Sequence, residues 1–174
     1  MRSITGYNNA ARFAPWIVLV DLDHDCDCAP PFARKWLVNP SDGMCFRVAV
    51  RAIEAWLLAD RERLAQLLGV RMTWLPTDPD SLDDPKRELI NLARRSRRRV
   101  VREDLVPRLG SGRSVGPLYT TCMIEFVRDE IAGWRLDQAA LASRSLARCI
   151  SRLRELAGQL PVIAMDPTGH ARSR

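Results

Sequence analysis

The order of hydrophobic and polar positions divides the chain into two strand-like stretches followed by a series of helices. Ile17-Val18-Leu19-Val20 is a continuous apolar run, too short for an independent helix and rich in β-branched residues. It predicts a strand buried on both faces of a parallel sheet. After the turn signal Asn39-Pro40-Ser41-Asp42-Gly43, the stretch Met44 to Val50 predicts a second strand. It leads into Arg51 to Asp60 and beyond, where Ile53, Trp56, Leu57, Leu64 and Leu67/Leu68 recur at helical spacing, and Gly69 supplies the C-cap. Pro85 opens a helix that continues over Lys86 to Arg99, with Leu89, Ile90, Leu92 and Ala93 as its apolar face. Two more helices are predicted. Tyr119 to Ile131 carries the stripe Met123, Ile124, Val127 and Ile131, and Asp137 to Leu156 carries Leu146, Cys149/Ile150, Leu153 and Leu156 behind an Asp137 N-cap. Both stripes read as core. Met1 to Pro15 reads as loop with at most one helical turn, Phe32 to Val38 as a short helix, and Gly110 to Pro117 as a flexible loop able to close over a ligand.

Composition narrows the class. A chain of 174 residues with 47% hydrophobic content sustains one domain, expected over residues 1–160, and residues 161–174 read as a flexible basic tail. No apolar run reaches the roughly 18 residues of a membrane span, and no signal pattern opens the chain, which predicts a soluble cytoplasmic protein without a membrane partner. Five cysteines, odd in number and mostly in apolar context, predict reduced thiols.

Charge adds candidate chemistry. Asp21, Asp23, Asp25 and Asp27 alternate after the first strand, so an extended chain crowds them on one face at the carboxyl end of a sheet. Hard oxygen ligands there suit Mg²⁺ or Mn²⁺, with Asp21, Asp23 and Asp25 as the candidate metal ligands. The competing reading is a solvated acidic turn. Glu54 falls in the first turn of the helix beyond the second strand, on the same edge, where it either acts as general base or stabilises the helix N-terminus. The net charge is +6, and Arg94, Arg95, Arg97, Arg98, Arg99 and Arg102 gather much of it in one segment. This is a candidate nucleic-acid-binding footprint, or else a solvated helix end. His24, Cys26 and Cys28 offer a weaker zinc alternative that lacks a second ligand pair nearby.

These residues carry a resemblance. Asp21-Leu22-Asp23-His24-Asp25, then Arg51-Ala52-Ile53-Glu54-Ala55-Trp56-Leu57-Leu58-Ala59-Asp60, then Asp84-Pro85-Lys86, then Gly116-Pro117-Leu118-Tyr119 together resemble the DUF4276 family of Toprim-like proteins, often linked with ATPases in bacterial defence. The resemblance spans nearly the whole chain. It implies an α/β Toprim-like fold, a small parallel sheet flanked by helices with a helical C-terminal half. It also implies a Mg²⁺-binding Asp-x-Asp pair, matched by Asp21 and Asp23, and a glutamate on an earlier strand as acid/base in phosphodiester chemistry. No counterpart of that strand precedes Trp16, so the expectation is either an N-terminally incomplete chain or a degenerate member that binds without cleaving. Glu54 is the candidate substitute. The two functional expectations are a Mg²⁺-dependent nuclease-like domain acting on nucleic acid, and a non-catalytic interaction module partnering an ATPase.

Overall fold

The computed structural model describes residues 2–21, 34–49 and 53–159. Helix α1 (Arg2–Ala10) precedes strand β1 (Trp16–Asp21), and strand β2 (Met44–Ala49) pairs with β1 in parallel, from Trp16 opposite Met44 to Asp21 opposite Ala49. The fold is α/β: a small two-stranded parallel sheet flanked by helices, with a helical C-terminal half. That half comprises α2 (Ile53–Ala59), α3 (Arg61–Leu68), α4 (Pro85–Arg94), α5 (Arg99–Leu105), α6 (Tyr119–Arg128), α7 (Leu136–Ala142) and α8 (Arg144–Gln159), with two 3₁₀ turns between α3 and α4.

Alternation along the strands sorts their side chains onto two faces. Val18, Met44 and Phe46 pack with Ile4 and Ala11 under α1. Cys45 on the opposite face is buried where α8 crosses β2. α8 covers β2 and leaves β1 open: Ile17 is 59% exposed and Leu19 37%. The expectation of a strand buried on both faces is therefore corrected. A β-branched apolar run marks a strand but does not specify how many layers cover it. The first fifteen residues also differ from expectation, forming a nine-residue helix held by Asn8 Nδ2 donating to the Asn39 carbonyl at 3.0 Å and Asn8 Oδ1 accepting from the Ser41 amide at 2.8 Å.

Most of the core lies among the helices. Leu58, Leu64, Leu68, Leu89, Leu92 and Leu105 are fully buried and join Tyr119, Met123 and Phe126 in one cluster. Trp56 and Ala59 belong to a second cluster, with Ala139, Leu146, Cys149 and Ile150. Two predicted long helices break at polar residues. Asp60 stops α2 and caps α3 by accepting from the Arg63 amide, and Ser143 separates α7 from α8. Each break is a hydrogen-bond station. Asp60 takes a two-pronged contact from the Arg135 guanidinium at 3.0 and 2.8 Å and a third bond from its backbone N–H. Asp80 accepts from the Ser143 and Ser145 hydroxyls, while the Trp56 indole donates to Ser145 Oγ at 2.7 Å. Asp137 lies inside the first turn of α7, and Arg135 occupies the cap position predicted for it. Gly69 ends α3 in the left-handed region at φ 64°, as its position predicts. α4 ends at Arg94 rather than Arg99, because the chain turns at Arg95 and Ser96 before α5 begins.

Candidate functional site

Three segments far apart in sequence converge on one carboxylate. Glu54 opens α2 and is 8% exposed, enclosed by the helical core that its neighbours Leu57 and Leu58 anchor. The Tyr119 hydroxyl donates to Glu54 Oε1 at 3.0 Å, and Lys86 Nζ lies 3.4 Å from the same oxygen. Lys86 is placed by the first turn of α4, where Pro85 fixes the backbone and Asp84 caps by accepting from the Arg87 amide at 2.8 Å. Tyr119 is placed by Gly116. The Gly116 amide donates to the Leu105 carbonyl at 2.9 Å, the Leu118 amide to the Asp104 carbonyl at 3.0 Å, and a methyl group on Gly116 would overlap the Asp104 backbone. Glycine is required for this close approach of α6 to the end of α5. Burial, then the adjacent Glu54 charge, push the Tyr119 hydroxyl far above the ordinary phenol range, so it remains a donor.

A cleft of about 620 Å³ opens over this cluster. Its walls include Ile53, Leu57, Val115, Met123, Ile124 and Val127, with Lys86 and Arg128 as cations among the described lining residues. The predicted core stripe of α6 is thereby divided. Met123 is buried with Tyr119 and Phe126, whereas Ile124 and Val127 are each 46% exposed on the cleft wall and Ile131, beyond the helix end, is 86% exposed. A helix of 3.6 residues per turn cannot turn positions 123, 124 and 127 equally inward, and the aromatic residues at 119 and 126 set the buried side.

The other sequence candidates fall elsewhere. Asp21 ends β1, level with Ala49, and Asp23 and Asp25 lie outside the described residues, as do Asp27, His24, Cys26 and Cys28. Among the described residues no group of three or more His, Cys, Asp or Glu side chains is placed to hold a metal ion. Of the six clustered arginines, most serve the corner between α4 and α5. Arg95 stacks 3.8 Å over the Trp74 ring, Arg98 donates to the Leu67 carbonyl at the end of α3, Arg102 to the Ser96 carbonyl, Arg99 to Glu103, and Arg94 to Asn91. Arg97 is exposed in the turn between the helices. Cys45, Cys122 and Cys149 are free thiols, all pushed up in pKa by burial.

Lys86 and Tyr119 were legible as members of short motifs, Asp-Pro-Lys and Gly-Pro-x-Tyr, but nothing in their local sequence showed that both reach Glu54. The pairing is a tertiary fact. Fold and cluster together define a small α/β domain with a tyrosine- and lysine-held carboxylate at the base of an apolar cleft. Comparison of the chain with family models, with curated proteins and with solved structures returns no match. No described helix is long and apolar enough to cross a membrane.

Proposed function

We propose that the chain is a Toprim-like, divalent-metal-dependent phosphodiester-processing domain that works beside an ATPase in bacterial defence. The observation that supports this reading most directly is the parallel register, which sets Asp21 level with Ala49 at the carboxyl ends of both strands. Carboxyl ends of parallel strands are where open α/β sheets recruit ligands. Asp23 and Asp25 follow Asp21 at alternate positions, and these carboxylates are the hard oxygen donors that Mg²⁺ or Mn²⁺ prefers. In this reading Asp21, Asp23 and Asp25 hold the ion. When bound, the ion polarises a phosphoryl oxygen and activates water. Glu54 accepts a proton, oriented by the Tyr119 hydroxyl and the Lys86 ammonium. The arginines from Arg94 to Arg102 attract the phosphate backbone, Arg97 with the fewest internal commitments.

Calorimetric titration of Mn²⁺ tests the proposal. Binding is expected in the parent chain and lost in the Asp21→Ala/Asp23→Ala double variant, together with any metal-dependent cleavage of nucleic acid. Equal binding by parent and variant, or none by the parent, removes the metal assignment.

A second reading has its own observation. The open apolar face of β1, with Ile17 59% exposed, favours a non-catalytic module whose sheet packs against a partner such as an ATPase. It predicts a stable heteromeric complex and no hydrolysis at any Mg²⁺ or Mn²⁺ concentration.

A further inference from the structure

The cleft above Glu54 has a composition that neither reading uses. Its walls are largely aliphatic, and two of the wall residues, Ile124 and Val127, stay 46% exposed on a helix that already has a buried side in Tyr119, Met123 and Phe126. Its volume, about 620 Å³, falls within the range of small-molecule sites. The described polar groups are the hydroxyls of Ser114, Tyr119 and Thr120, the Glu54 carboxylate, and two cations, Lys86 and Arg128. Lys86 has an ammonium with three donors, and Glu54 at 3.4 Å is the partner fixed for it, leaving the side chain 45% exposed toward solvent. Arg128, in the last turn of α6, is exposed and has no ion-pair partner among the described residues. Glu54 faces one hydroxyl and one ammonium, so its charge is balanced within the wall. Among the described lining residues, Lys86 and Arg128 against Glu54 leave one net positive charge.

We infer that this cleft binds a small organic anion with an apolar body, the body lying against Ile124, Val127 and Met123 and the anionic group reaching Lys86 and Arg128. Charge and apolar wall select for each other here. A purely polar anion leaves the aliphatic wall wet, and a neutral apolar compound forgoes the charged contact that Lys86 and Arg128 offer. Glu54 acts as the anchor that holds Lys86 at the cleft, and Tyr119 holds Glu54. The inference stands independently of metal-dependent chemistry, because it is argued from side chains of α2, α4 and α6 alone.

Two fluorescent probes of the same shape separate charge from apolar contact: anilinonaphthalene sulfonate, which is anionic, and phenylnaphthylamine, which is neutral. Saturable binding of the sulfonate is expected, at least about fivefold tighter than the neutral probe, the size of one solvent-screened ionic contact. Lys86→Met with Arg128→Met should bring the two affinities together, and Lys86→Arg should keep the preference. Ile124→Asp/Val127→Asp, at positions half-exposed and outside the core, should remove both probes without lowering the melting temperature by more than a few degrees. Equal affinity of the parent for both probes, a sulfonate preference that survives Lys86→Met/Arg128→Met, or sulfonate binding that survives Ile124→Asp/Val127→Asp, overturns the inference.

Discussion

Glu54 shows how one buried carboxylate is held by unequal partners. The Tyr119 hydroxyl is buried with it, so the bond at 3.0 Å is shielded from water, while Lys86 is 45% exposed and its attraction is screened. Removing the buried partner leaves a carboxylate short of a donor in an enclosed place. Tyr119→Phe is therefore expected to cost about 1.5–3 kcal/mol, the range for hydrogen bonds to charged groups. Lys86→Met keeps the aliphatic stem and should cost less than about 1 kcal/mol. Urea denaturation of the two variants ranks them. A larger loss for Lys86→Met means that the ammonium, not the phenol, fixes the carboxylate. The role of Glu54 at a helix start was legible from its place after a predicted strand. Its partners were not, because residues 32 and 65 positions away meet it only through the packing of α4 and α6 on α2.

At the level of elements, the polar breaks carry the architecture. One apolar periodicity runs from Ile53 to Leu68, and another lies within Asp137 to Leu156, so hydrophobic spacing alone predicts two long helices. Asp60 and Ser143 interrupt them because their side chains bond to backbone amides and to distant elements more favourably than an uninterrupted helix would allow. Asp60 is the stronger case. Burial raises its pKa, but the Arg135 guanidinium, the Arg135 backbone N–H and the Arg63 amide outweigh burial and hold the carboxyl below its ordinary value of 3.8. A carboxyl whose folded-state pKa is depressed contributes stability that is fully present above the unfolded value and is lost as pH falls through the folded one. Asp60→Asn, which removes the charge while retaining one acceptor, should therefore destabilise the protein by about 1.5–3 kcal/mol near pH 7, the range for hydrogen bonds to charged groups. The gap between parent and variant should shrink as pH falls below 3.8. Thermal melts of both proteins across the acid range read this directly, and a constant gap would mean that the contact acts by shape rather than charge.

The whole molecule divides its stability unevenly, and the division follows from which strands are covered. Strand positions, the parallel arrangement and the helical C-terminal half were legible, since β-branched runs, turn signals and helical periodicity are local properties of the chain. The coverage of β1 was not, because an apolar strand reads alike whether one layer or two lie over it. In the folded chain α8 packs on β2, and β1 keeps Ile17 and Leu19 open, while six leucines of α2 to α5 are fully buried. Local opening costs least where few apolar contacts must be broken. Native-state hydrogen exchange should therefore find the β1 amides exchanging through local fluctuations, at least about a hundredfold faster than those of Leu64, Leu68, Leu89 and Leu92, which should exchange only on global unfolding. Equal protection across both regions would mean that the open face of β1 is covered in solution. Protection that appears in β1 only when a partner protein is added would favour the interaction-module reading over the metal-dependent one, since metal binding at the carboxyl edge does not cover Ile17.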